Sequence, residues 1–109
     1  MKVLSYSGES VVTTDGVGNA VLDYTRALIA DNSADVVDIP VVLDEQERMA
    51  SIVLGPGSPL LVMPSARQDT ELRDELTIAR LYAKIAALVP HQVVPLDAVQ
   101  DTNDLLYDL

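Results

Sequence analysis

Along the first thirteen residues the apolar positions form two short groups, Val3, Leu4 and Tyr6 and then Val11 and Val12, on either side of Gly8. Apolar, β-branched clusters around a glycine predict a β-hairpin, with Gly8 supplying the positive φ of its first central turn position. At Thr14 the period changes. Val17, Ala20, Val21, Tyr24, Ala27 and Leu28 recur at three- and four-residue steps, which predicts a helix with one apolar face. Thr14 or Asp15 is placed to cap its start, and Asp31-Asn32-Ser33 to end it.

The pattern then returns to strands. In ADVVDIPVVL, Val37, Ile39, Val41 and Leu43 share one face while Val36 and Val42 line much of the other. A strand apolar on both faces belongs inside a sheet, whereas Pro40 cannot donate to a ladder and argues for an edge or a bulge. The two signals conflict. The charged DEQE is a turn, and Met49 to Leu54 forms a further strand with Ala50, Ile52 and Leu54 on one face. GPGSP, residues 55–59, separates that run from a last strand over Leu60 to Met63. The three runs between Asp35 and Met63 lie too close together for helical crossovers, which predicts an antiparallel meander.

A long helix is expected from about Gln68 to Thr70 up to Pro90, with Glu71, Asp74 and Glu75 favourably near its N-terminal end. Its apolar stripe is broad: Leu72, Leu76, Ala79, Tyr82 or Ala83, and Ala86, widened by Ile78, Leu81, Ile85 and Leu88. Beyond it, Gln92 to Val94 reads as a short strand and the chain from Leu96 as a weak helix. Taken together, the elements predict one α+β domain over residues 1–109. Its sheet is mainly antiparallel, of about five strands, in the order β-β-α-β-β-β-α with a short C-terminal helix and both helices on one face. The alternative is a three-layer α/β domain in which residues 2–7, 36–43 and 60–63 run parallel.

Composition narrows the function. Seventeen acidic against seven basic residues give a formal charge of −10, which repels phosphate backbones and anionic lipid, so neither nucleic acid nor membrane is an expected partner. A basic protein partner fits the charge, and so does plain solubility. With four Tyr and no Phe or Trp, the chain offers little to stack on a nucleotide base. The lack of Cys excludes disulfides, thiol catalysis and Cys-based zinc sites. MKVLSYSGES carries no long apolar stretch and no cleavage site of a secretory signal, and no apolar run approaches the ~18 residues of a membrane span. The cytoplasm is the default compartment, and the Ala-, Val- and Asp-rich usage resembles that of small bacterial proteins.

Four stretches invite a chemical reading. GPGSP could cradle a phosphate, but Pro56 and Pro59 remove backbone donors, no Lys or Arg is near, and a strand follows rather than a helix. It reads as the hinge of a hairpin. TDGVGNA, residues 14–20, resembles the TDGVGTK stretch of the aminoimidazole ribonucleotide synthetase family, whose members bind ATP and a phosphoribosyl substrate. The likeness covers these seven residues only. Asn19 and Ala20 stand at the last two positions, where the family has Thr and Lys, so no residue role is carried over. Asp15, Gly16 and Gly18 still form a flexible helix start where an anion could sit, with Gly55 and Gly57 as the corresponding loop positions in GPGSP. His91, the only histidine, has neither a nucleophile nor an orienting carboxylate beside it and suits a helix C-terminal end. In the tail, Asp97, Asp101, Asp104 and Asp108 recur at helical spacing, yet DAVQDTNDLLYD has neither the glycine turn nor the closing Glu of a calcium loop. Its LLYDL offers apolar anchors either for the parent domain or for a partner.

No catalytic residue, metal ligand or cofactor is expected. The preferred reading is a non-catalytic interaction or structural module that forms a homodimer, with Leu81, Tyr82, Ile85, Leu105, Leu106 and Tyr107 near the contact. The alternative is a small-molecule protein, binding an anionic ligand or acting as a minor enzyme through the loops 14–19 and 55–59.

Overall fold

The computed structural model describes residues 1–57, 59–67 and 72–92, and side chains as far as residue 88. The elements are β1 (Lys2–Tyr6), β2 (Glu9–Thr13), α1 (Asp15–Ala30), β3 (Asp35–Leu43), β4 (Gln46–Leu54), β5 (Leu60–Pro64) and α2 (Glu75–Gln92). This is the expected order, and five antiparallel strands with two helices make the α+β class. No pairing is parallel among the described residues, so the three-layer alternative is not formed. The anticipated C-terminal strand and helix, His91's side chain, Leu105, Leu106, Tyr107 and the tail aspartates lie outside the described residues.

The turns are set locally. β1 and β2 pair from Lys2↔Thr13 to Tyr6↔Glu9, so Ser7 and Gly8 form the two-residue loop. Both have positive φ, 50° and 88°, as the twist-matched hairpin turn requires. Gly8 therefore takes the second central position rather than the first. Asp44 and Glu45 join β3 to β4 in the same way, at φ 53° and 64°, without a glycine to relieve the left-handed conformation. The tip is held from outside, since Arg67 donates to both carboxylate oxygens of Glu45 at 3.0 Å.

Helix α1 starts at Thr14, whose Oγ1 accepts from the Val17 amide at 3.1 Å. It ends where Asn32 turns left-handed (φ 54°) and the amides of Asn32 and Ser33 bond the carbonyls of Ile29 and Leu28, each at 3.0 Å, a Schellman closure. Helix α2 begins later than its acidic sequence implies. Asp74's carbonyl accepts its first bond, from the Ile78 amide. It also runs through Pro90 to Gln92, so Pro90 does not terminate it.

The sheet order is β4-β3-β2-β1-β5. β5 pairs with β1, so the three central runs do not form a meander and GPGSP is not a hairpin hinge. Residues 55–59 instead link the strands at the two edges. Gly55, at φ 149°, starts this crossing in contact with residues 33–34, where an added Cβ would lie 2.8 Å from Ser33's carbonyl. Leu60 and Val62 then pack beside Tyr6 and Leu4 on the helix-facing side.

Pro40's conflict also resolves. β3 is interior by order, but its register with β2 contains the single pair Val12↔Val42. Counting back from the Leu43↔Gln46 pair that closes the turn, the backbone of Pro40 points away from β4. There its missing N–H costs the β3–β4 ladder nothing, and its carbonyl accepts from the buried Thr13 hydroxyl at 2.8 Å. The core lies between sheet and helices: Leu4, Val37, Ile39, Val41 and Leu54 meet Val17, Val21, Tyr24, Leu28 and Leu81, each large apolar side chain contributing roughly 1.5–3 kcal/mol by its burial.

Candidate functional site

The divergence of the two hairpins opens an apolar recess that the candidate residues above do not include. Immediately past the Val12↔Val42 pair, Val11 and Leu43 part and face a cleft of about 400 Å³. Leu4, Tyr6 and Val11 of the first hairpin form one wall, and Ala50 and Ile52 of β4 the other. Tyr6, Val11, Ala50 and Ile52 are only partly buried against the core, so inward-facing positions remain reachable from solvent. Ser7, Glu9 and Ser51 also line it, and Glu9 is the only charged residue among the described residues that do so. Tyr6 and Glu9 are directly opposite in register, which sets their Cβ atoms about 4.5–5.5 Å apart. A volume of this size falls within the roughly 300–1,000 Å³ of small-molecule pockets.

The loops expected to bind an anion are not brought together. Thr14 to Asn19 opens α1, whereas Gly55 rests on Ser33 and Ala34 beyond the helix's other end. Gly16 and Gly18 serve packing. A Cβ on Gly16 would stand 2.5 Å from Ile78 Cδ1, and one on Gly18 would stand 3.1 Å from Lys2 Cγ and 3.5 Å from Val62 Cγ1. Asp15 lies 3.0 Å from the Met1 amino group, and Gly57 stands in open space.

The interface residues anticipated on α2 are largely committed within the chain. Leu81 is 2% exposed in the core, and Ile85 packs against that core. Tyr82 is exposed but donates to Asp23 Oδ2 at 2.7 Å, which raises its pKa, through that hydrogen bond above all. Of the broad stripe, Ile78, Leu81, Ile85 and Leu88 pack in or against the core, which withdraws Leu81 as a contact residue, while Leu76, Ala79, Tyr82 and Ala86 stay exposed.

The densest polar cluster joins α1, β3 and α2. Tyr24's hydroxyl donates to Asp35 Oδ2 at 2.6 Å, Lys84 Nζ to the same oxygen at 3.0 Å, and the Val36 amide to Oδ1 at 2.8 Å. The Tyr24 bond, more than the others, holds Asp35's carboxyl below its usual range. Burial, with the same carboxylate, pushes Tyr24 well above an ordinary phenol. A tyrosine so held keeps its proton and an aspartate so paired keeps its charge, so the trio ties elements together and is not poised to exchange protons.

A second depression, of about 420 Å³, is walled by Pro40, Met49 and Leu72 with Glu47, Arg48 and Arg73, so that its charges are mixed. Among the described residues no group of three or more His, Asp or Glu could hold a metal ion, and no helix is long and apolar enough to cross a membrane. No protein-family model matches this chain, and no curated protein or solved structure matches it either. The functional reading therefore rests on the geometry of the chain itself.

Proposed function

We propose that the chain is a non-catalytic interaction module that self-associates as a homodimer through strand β5. The observation that carries this is the character of that edge. β5 pairs only with β1 among the described strands, contains no charged residue, and leaves Leu61 and Met63 54% and 50% exposed. The Ser65 amide bonds Met1's carbonyl at 3.0 Å, so by alternation Met63 and Leu61 also bond toward β1 while Leu60, Val62 and Pro64 direct their backbones outward. The free groups of Leu60 and Val62 are a template for another strand. Pro64 occupies an outward position, where its missing N–H is harmless to the ladder.

A second copy fits this template. Two β5 strands meeting antiparallel about Val62 exchange backbone bonds there and place Leu61 of each beside Met63 of the other, an isologous contact. The edge strand is uncharged although the chain carries −10, so the two copies meet where their mutual repulsion is least. A cytoplasmic setting is part of this proposal and fits a chain without Cys. Sedimentation velocity across the micromolar range tests it. The wild type should shift toward a dimer with rising concentration, and Leu61→Lys, which sets a charge on the edge, should stay monomeric with an unchanged circular dichroism spectrum. A wild type that remains monomeric at high micromolar concentration rejects the proposal.

A further inference from the structure

We infer that the cleft between the two hairpins binds a small amphiphilic amine, with its ammonium at the mouth beside Glu9 and Tyr6 and its apolar body against Leu4, Val11, Ala50 and Ile52. This goes beyond self-association and uses a different part of the molecule. Two properties of the cleft choose the ligand. Its floor is apolar, and Tyr6, Val11, Ala50 and Ile52 are only partly buried, so an inserted hydrocarbon removes surface from water on both sides, at roughly 25 cal/mol per Å². Among the described residues its single lining charge is the exposed carboxylate of Glu9, and none that line it is basic.

The mouth adds to the selection. Tyr6 stands across the strand pair from Glu9 and presents a phenol ring, whose face attracts a cation, together with a hydroxyl acceptor. An anionic head group would meet Glu9 and a chain of net charge −10. A protonated amine meets a carboxylate, an aromatic face and a favourable long-range field. The anionic ligand expected of the 14–19 and 55–59 loops is thus replaced, at this site, by a cation.

Isothermal titration of the full chain with decylammonium, decanol and decanoate at neutral pH tests the inference. Decylammonium should bind at least about tenfold more tightly than decanoate, a difference of about 1.4 kcal/mol, with decanol between them. Glu9→Gln should erase the preference for decylammonium over decanol, whereas Glu47→Gln, a carboxylate outside the cleft, should leave it intact. Ala50→Trp fills the cleft and should abolish binding of both. Leu61→Lys should bind like the wild type, which separates this site from the β5 edge. Equal affinity for decylammonium and decanoate, an equal loss in the Glu9 and Glu47 variants, or wild-type binding by a folded Ala50→Trp protein would each overturn the inference. Should Ala50→Trp not fold, the contrast between Glu9→Gln and Glu47→Gln decides, since both positions are exposed.

Discussion

The two edges of the sheet are built on opposite principles. β4 is nine residues long, a length that invites pairing, yet its outward backbone positions include Glu47 and Ser51, with Arg48 beside them. β5 is five residues long and wholly apolar, bounded by Pro59 and Pro64. The long edge is guarded by charge, whereas the short edge is limited by its length and by the prolines at its two ends. Charged side chains on an edge repel an incoming strand, so the comparison separates a strand designed to stay unpaired from one available for a single, short pairing.

Removing the guard from β4 should have the largest effect. Replacing both Glu47 and Arg48 with Val gives each molecule two open edges, and a chain with two open edges assembles without closing. The double variant should form large species, visible by light scattering, whereas the wild type should stop at the proposed dimer. If the variant keeps the wild-type mass, charge is not what protects β4.

The next effect concerns the clamp on the guarded half. Asp35→Asn removes the charge that Tyr24 and Lys84 share and should cost about 1.5–3 kcal/mol in urea unfolding at neutral pH. Because Asp35's pKa is lowered in the folded chain, its contribution is fully present above its unfolded pKa of about 3.9 and is lost as pH falls through the folded value. The gap between wild type and variant should therefore narrow below about pH 4; a constant gap would mean the loss is not electrostatic. The β5 edge has no part in this cluster, so dimerisation should survive the substitution.

Smaller effects follow from the cap and the hairpin tip. Thr14→Ala removes the acceptor for the Val17 amide and should lower stability by about 1 kcal/mol. Glu45→Gln weakens the exposed pair with Arg67 and should cost less than about 1 kcal/mol. Its more telling readout is the cleft, since the tip adjoins Leu43: faster proteolysis at residues 44–45 is expected, with global stability nearly unchanged.

What the sequence made legible was local. The three-four spacing from Val17 to Leu28, the Thr14 cap and the Asp31-Asn32-Ser33 stop describe contacts within one helix, and these appear as expected. The element order and antiparallel class follow from the same patterns. The pairing of β5 with β1 was not legible, because alternation says which face of Leu60 to Met63 is apolar and nothing about which strand lies beside it. The stripe of α2 was ambiguous for a related reason: Ile78, Leu81, Ile85 and Leu88 pack on the core while Leu76, Ala79, Tyr82 and Ala86 stay exposed, and periodicity does not say which part of a broad stripe the fold will cover. Gly16 and Gly18 resembled a ligand loop, but glycine serves close helix packing as readily as anion binding. The cleft was hidden altogether, since it exists only where β2 and β3 part after one pair, and Tyr6, Val11, Ala50 and Ile52 read individually as ordinary strand residues.

Amide hydrogen exchange at low and high protein concentration tests the contrast between the edges most directly. In a monomer, the outward amides of Leu60 and Val62 on β5 and of Glu47, Met49 and Val53 on β4 should all exchange fast. With rising concentration, Leu60 and Val62 should become protected while the three β4 amides keep their rates. Protection that develops on β4, or on neither edge, would contradict the account.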